Sequence, residues 1–394
     1  MSERQQLPRQ VKLFGAVSLL NDFASEMVYP LLPAFVTSVL GGGAAALGAL
    51  DGAADAASAF IKFFAGRTAD RPSRRGPLIV TGYLVAAAIR PVIAITAAAW
   101  QVIGLRVVDR LGKGLRTPPR DALIADVTPE PMRGRAFGLQ RGLDHVGAVI
   151  GPLVAWWLLT TGADVRRVIL VSFVPGALVV LLAYWAVKGG AGRERPEEPA
   201  PTSPTLPPSP ALRRLSPSVV AISLFYLIRM PETLIILHSQ HLGIAITLVP
   251  LLWAGVHVVK ASTSFVGGAL SDRIGPARTM WMGWISYVGL AAGMAFARGP
   301  LAGWILFLAL GVVAGMTESP ERAIVSEGTG GHRGSAFGMY HALTGVTALI
   351  GGISLGVVFQ TRSGDAAFLV SSSAALVLVI LWPFWARAHS VRPR

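Results

Sequence analysis

The sequence predicts an all-α integral membrane protein with twelve transmembrane helices in two pseudo-symmetric six-helix bundles. Three observations predict it: a composition too apolar for water, apolar runs at membrane-spanning intervals, and motifs that recur about 200 positions apart. Of 394 residues, 53% are hydrophobic and only 14% are charged, and the mean hydropathy is +0.56. A soluble domain carries roughly 25% charged residues, because its surface must stay wet. This chain has too little charge to cover a water-soluble body of its size.

Crossing the hydrocarbon core takes about 20 mostly apolar residues per helix. Reading apolar runs against glycine, proline and charge clusters places spans at 12–39, 45–66, 78–98, 100–126, 134–160, 166–187, 218–239, 247–270, 279–297, 301–326, 335–360 and 365–386. The first run contains Asp22 and Glu26, which the apolar region of a cleavable signal would exclude. Cysteine is absent, so no disulfide framework or thiolate metal site is available.

The formal charge of +14 is not a nucleic-acid signature, because Lys and Arg collect in the short connections between spans. With both termini on one side, twenty connection cations fall there, from Arg4 and Arg9 through Arg74 and Arg75 to Arg392 and Arg394. Arg166, Arg167, Arg298 and Arg362 alone fall on the other. The positive-inside rule then puts both termini in the cytoplasm, and the expected location is the cell (inner) membrane. Residues 188–217 hold eight prolines with charge at both ends and read as a mobile cytoplasmic linker. The expected organisation is therefore an N-terminal bundle over 1–187, the linker over 188–217 and a C-terminal bundle over 218–394.

The halves repeat in order. Gly66 to Arg71 (GRTADR) is echoed by Gly268 to Arg273 (GALSDR), and Arg133 to Gly138 (RGRAFG) by Arg333 to Gly338 (RGSAFG). Pro119 to Asp126 (PRDALIAD) parallels Pro320 to Glu327 (PERAIVSE), and Glu26 and Glu232 stand at comparable depths in the first helix of each half. Such registration points to a duplicated six-helix unit.

On these residues the chain resembles the major facilitator superfamily over essentially its whole length. Gly66 to Arg75 (GRTADRPSRR) is similar to the family's signature loop between helices 2 and 3, G-x-x-x-D-R-x-x-R-R, and Gly268 to Arg278 is a degenerate copy. The resemblance implies a cytoplasmic latch involving Gly66, Asp70, Arg71, Arg74 and Asp272. Gly147 to Pro152 (GAVIGP) resembles the exporters' antiporter motif G-x-x-x-G-P-x-x-G-G, with Gly147, Gly151 and Pro152 matching, but Val154 and Ala155 replacing the last two glycines. Arg106 matches the family's helix 4 arginine linked to proton-coupled export, although Arg110 stands where the family usually has glycine.

Charge inside spans is the clearest functional sign, since each charged group facing lipid near the bilayer centre costs about 2.5 kcal/mol or more. At roughly 100° per residue, Arg106, Asp109, Arg110, Lys113, Arg116, Thr117 and Arg120 share a stripe about 120° wide on span 4. Its candidate roles are a substrate cavity (Tyr29, Arg106, Asp109, Arg110, Lys113, Arg229, Glu232) and, toward the cytoplasm, a gate. In that gate Arg116 and Arg120 would face Glu318 and Glu321, which the repeat brings to related depths. A carboxylate held within a membrane can take up a proton because burial disfavours its charge, which makes Glu26 and then Asp22 the candidates for coupling. His238 and His241 could offer two metal ligands, but i,i+3 histidines near a helix end read better as ordinary polar residues. No nucleophile elbow, phosphate loop or zinc signature is present.

The expected activity is secondary transport of a small molecule by alternating access, coupled to protons and directed outward. The expected partners are that substrate, protons and the bilayer. The expectation includes no cofactor, no nucleic acid, no enzymatic activity and a monomeric state. An uptake symporter for an anionic metabolite and a metal-ion exporter are the alternatives.

Overall fold

The computed structural model describes residues 6–69, 72–129, 132–189, 217–326 and 333–390. All twelve expected spans correspond to helical segments. These are α1 (Arg9–Val28), α2 (Ala44–Ala69), α3 (Pro72–Ile93), α4 (Ala99–Val127), α5 (Arg133–Thr160), α6 (Val165–Val171 and Phe173–Lys188), α7 (α7a Pro217–Ile228 and α7b Glu232–His241), α8 (Val249–Ile274), α9 (Pro276–Phe296), α10 (Gly299–Ser326), α11 (Arg333–Thr361) and α12 (Gly364–Ser390). No strand occurs among the described residues. Nine of these helices are long and apolar enough to cross a membrane. α4 is not among them, as its charged stripe dictates.

Proline shapes the irregular places. Past Val28, α1 tightens into a 3-10 turn at Tyr29–Leu31 and loosens into a π turn at Phe35–Val39, where Pro30 and Pro33 each remove a backbone donor. α7 stops at Ile228 and restarts after Pro231. The backbone groups freed there find side chains: Met230 N donates to the Tyr287 hydroxyl at 2.7 Å, and Ser371 Oγ donates to Ile228 O at 2.6 Å. Broken helices survive at membrane depth only when protein satisfies the freed groups.

By internal contact the chain forms two units, residues 1–29, 60–96 and 104–213 in one, and 30–59, 97–103 and 214–394 in the other. In the first, Val11, Phe14, Val17, Ile79, Tyr83, Ile124 and Val179 form a buried apolar core. Glycine brings its helices together: a Cβ on Gly147 or Gly151 would collide with the α1 backbone at Leu19 or Phe23, and one on Gly82 with the α4 backbone at Gly112. The second unit repeats both seams. Gly351 of α11 lies on the α7a backbone at Leu227, and Gly283 of α9 lies on Met316 and Thr317 of α10. Gly151 and Gly351 stand 200 apart, as the Arg133 and Arg333 motifs do, and their backbone partners fix the register at 204 between Phe23 of α1 and Leu227 of α7a. Gly82 and Gly283 fix it at 201 for α3 and α9. The second unit also encloses Phe225 stacked on Trp284, with Tyr287 and Trp382 edge-on.

The expected linker, apart from its ends, lies outside the described residues, as do Asp70 and Arg71, while Gly66 lies within α2. Within the first unit, Arg74 is exposed, while Arg75 pairs with Asp126 near the end of α4.

Candidate functional site

The charged stripe of α4 is turned into the first unit. Arg106, Asp109 and Arg116 are 2%, 1% and 2% exposed, so their charges must be met by protein. Asp109 receives Arg90 Nε of α3 on Oδ1 at 3.1 Å and Arg106 Nη1 on Oδ2 at 3.1 Å. Arg90 also donates to Asn21 of α1, through Nη1 to the carbonyl and Nη2 to Oδ1, both at 3.1 Å. Arg116 completes the cluster with Nη2 on Asn21 Oδ1 at 3.1 Å, and its Nη1 donates to Gly82 O at 3.1 Å. The Arg116 and Arg106 guanidiniums lie over the Tyr83 and Tyr29 rings at 4.5 and 4.9 Å, within cation–π range. Three guanidiniums thus surround one carboxylate and one amide.

The network continues toward Arg120, which donates to Asp121 Oδ1 at 2.8 Å and to Ser18 Oγ at 3.5 Å. Gln140 of α5 donates to Ser18 Oγ at 2.9 Å and Asp144 at 2.7 Å. Asp22 accepts from Asn21 Nδ2 at 2.9 Å. Glu26, Arg110 and Lys113 are half-buried. The structure therefore unites Arg106, Asp109 and Arg116 with Asn21 and Arg90, which sequence reasoning did not single out for the site. Arg90 had a signal, as a lone arginine inside an apolar span; Asn21 had only its place on the polar face of α1.

The second unit keeps its acidic residues satisfied locally. Glu321, 4% exposed, accepts from the Tyr226 and Tyr340 hydroxyls at 3.2 and 3.0 Å. Glu318 pairs with Lys260 at 2.5 Å, and Arg229 with Glu232 at 3.2 Å. Asp272 is exposed. His238 makes a 3.0 Å hydrogen bond with Met294 O and packs on Phe359 and Phe368. Among the described residues no three His, Cys, Asp or Glu side chains gather as metal ligands.

A further carboxylate, Asp51 of α2, caps the restarted helix α7b. Its Oδ2 accepts from Thr233 N at 3.1 Å and Thr233 Oγ1 at 2.8 Å. A helix start leaves N–H groups without intrahelical partners and carries partial positive charge, so a carboxylate there is doubly favoured. Beside this cap, Gly48 and Gly352 meet backbone to backbone, as do Gly52 and Leu349. Asp51→Ala is expected to lower stability by about 1–2 kcal/mol, the usual cost of a lost cap; Asp51→Asn should lose less. Thermal unfolding of the purified variants checks this order.

The repeat supplies the physical contrast. At the registers fixed by the glycine seams, Asn21, Arg90, Arg106 and Asp109 correspond to Phe225, Ala291, Phe307 and Leu310, all at most 2% exposed. One scaffold thus encloses charge in the first unit and aromatic and aliphatic groups in the second. Replacing buried ion pairs by packed apolar groups is often neutral or stabilising, so packing does not require the charge.

The Major Facilitator Superfamily model matches residues 14–331 and 239–394. An uncharacterized MFS-type transporter of Methanocaldococcus jannaschii is 28% identical over 395 residues, covering 96% of each chain. The multidrug resistance protein MdtH of Edwardsiella ictaluri is 32% identical over 186 residues, 47% of this chain and 45% of its own. Among solved structures, the nucleoside transporter NupG aligns with a TM-score of 0.76 at 14% identity, covering 96% of this chain and 100% of that one. Helices, repeated seams and family match agree: the chain is a multi-pass membrane transporter, not an enzyme, and belongs to the major facilitator superfamily.

Proposed function

We propose that this transporter exports a small molecule in exchange for protons, working by alternating access as a monomer in the inner membrane with both termini in the cytoplasm. The observation that carries this reading is the buried Arg90–Asp109–Arg106 network on α3 and α4, kept where the repeated unit packs apolar side chains. Intramembrane charge that packing does not require is the mark of a transport pathway. The partial likeness to the multidrug resistance protein MdtH supports the outward direction, and the twenty-to-four cation bias supports the sidedness. Glu26 is proposed as the proton carrier, with Asp22 next. The two six-helix bundles, 1–187 and 218–394, are proposed as the moving bodies.

A growth and efflux screen across drugs, organic anions and sugars, under an imposed pH gradient, identifies the cargo. With that cargo in proteoliposomes, Glu26→Gln is expected to abolish flux driven by the pH gradient and to leave binding measurable. Undiminished proton-driven flux would remove Glu26 and pass the role to Asp22. The excess of buried cations favours a second reading, proton-coupled uptake of an anionic metabolite. The direction of flux in oriented vesicles separates the two.

A further inference from the structure

The hydrogen-bond inventory of the α4 network leaves donors over. Both Asp109 oxygens are engaged, one by Arg90 and one by Arg106, and Asn21 Oδ1 takes both Arg90 and Arg116. Arg106 uses only Nη1. Its Nε and Nη2 are buried with no hydrogen-bond partner among the described residues. These two atoms form one edge of the guanidinium plane, where two parallel N–H bonds are spaced for the two oxygens of a single carboxylate or phosphoryl group. Leaving such donors buried and unmet costs free energy. The scaffold does not demand them, since Phe307 fills the repeat position in the second unit at 0% exposure. The opposite edge is fixed by Asp109 and the face by the Tyr29 ring, so the guanidinium is held in one orientation before anything binds.

We propose that the Nε–Nη2 edge of Arg106 is the binding site for an oxyanion of the cargo, which makes the cargo a small organic acid or phosphorylated compound. The proposal rests on the transporter reading above, because the ligand is taken to be what is moved. Asp109 is the positioning residue: it orients Arg106 and reduces the local positive charge without touching the ligand. A second carboxylate at the free edge balances the excess of guanidiniums, which a neutral or cationic cargo would not.

Binding is tested by titration calorimetry on the full-length protein in lipid nanodiscs. The probes are benzoate, succinate, phenyl phosphate and inorganic phosphate, with benzamide, succinamide and benzylamine as matched controls. At least one oxyanion should bind, at least tenfold tighter than its amide or amine counterpart, and the better of the carboxylate and phosphoryl arms names the group. Arg106→Lys keeps the charge but loses the fork, and should weaken that probe at least tenfold, while Arg141→Lys should not. If Arg106→Lys does not fold, Tyr29→Leu takes its place and should weaken the probe at least threefold. Equal binding of oxyanions and controls, no binding of any oxyanion, or an unchanged affinity in the folded variant would overturn the site. Counterflow of the bound probe in proteoliposomes distinguishes the two claims. Binding without flux leaves the site standing and sinks the transporter reading for that ligand. Flux of a neutral or cationic cargo undiminished by Arg106→Lys sinks the site and leaves the transporter reading intact.

Discussion

Asp109→Ala is expected to destabilise the protein by about 3–5 kcal/mol, the range for removing one partner of a buried ion pair. Two guanidiniums, Arg90 and Arg106, would lose the carboxylate they pair with while 4% and 2% exposed. Neither can reach water without disturbing α3 or α4. Asp109→Asn keeps two polar atoms but removes the charge, and should fall between wild type and alanine. Arg141→Ala is the control: its pair with Asp144 is 3.6 Å long and the arginine side chain is 55% exposed, so about 1 kcal/mol or less is at stake. Denaturant or thermal unfolding in detergent gives the ranking, and equal losses for Asp109 and Arg141 would show that the network is not a buried one.

Valine at Gly147 or Gly151 is expected to prevent correct folding, or to cost at least about 3 kcal/mol, the upper end for overpacking. A Cβ at either position meets the α1 backbone at Leu19 or Phe23, and backbone held by its own helical hydrogen bonds cannot turn aside as a side chain does. Small residues at such a seam let two membrane helices approach closely. α5 supplies its own controls, since a Cβ on Gly138 or Gly142 meets nothing within 4 Å. Gly138→Val and Gly142→Val should therefore yield folded protein. Fluorescence-detected size-exclusion of the four variants separates the pairs. A shared profile would contradict the seam.

Helix limits were legible because they are local: the expected span 134–160 meets α5 at Arg133–Thr160, and 301–326 meets α10 at Gly299–Ser326. Apolar length and flanking glycine or charge decide such limits. The polar stripe of α4 was legible for the same reason, being a helical periodicity. What the stripe touches was not. Arg90 and Asn21 stand 69 positions apart, and Asp51 and Thr233 stand 182 apart; pairing across such distances is set by packing, which leaves no periodic trace. Tyr226 and Tyr340 were invisible as partners of Glu321 for that reason. The break in α7 had a local sign in Pro231, yet the run 218–239 reads as one apolar span because its hydropathy is continuous. The motif around Gly147 was read through its family likeness. The glycines at 48, 52 and 352 carried the same physics without drawing notice.

The central claim is that the buried charges of α3 and α4 serve transport and not packing. The direct test replaces the ion-paired residues together, as Arg90→Met, Arg106→Met and Asp109→Leu, which leaves neither member of either ion pair behind and keeps the hydrogen bonds of Arg116 to Asn21 and the Gly82 carbonyl. Apolar replacement of a buried ion-paired triad is often neutral or better for stability, and the second unit already holds Ala291, Phe307 and Leu310 at these positions. The measurement is flux of the screened cargo in proteoliposomes, alongside the unfolding midpoint. The account predicts a midpoint at or above that of the wild type with flux reduced at least a hundredfold. A folded triple variant that transports at the wild-type rate would contradict it.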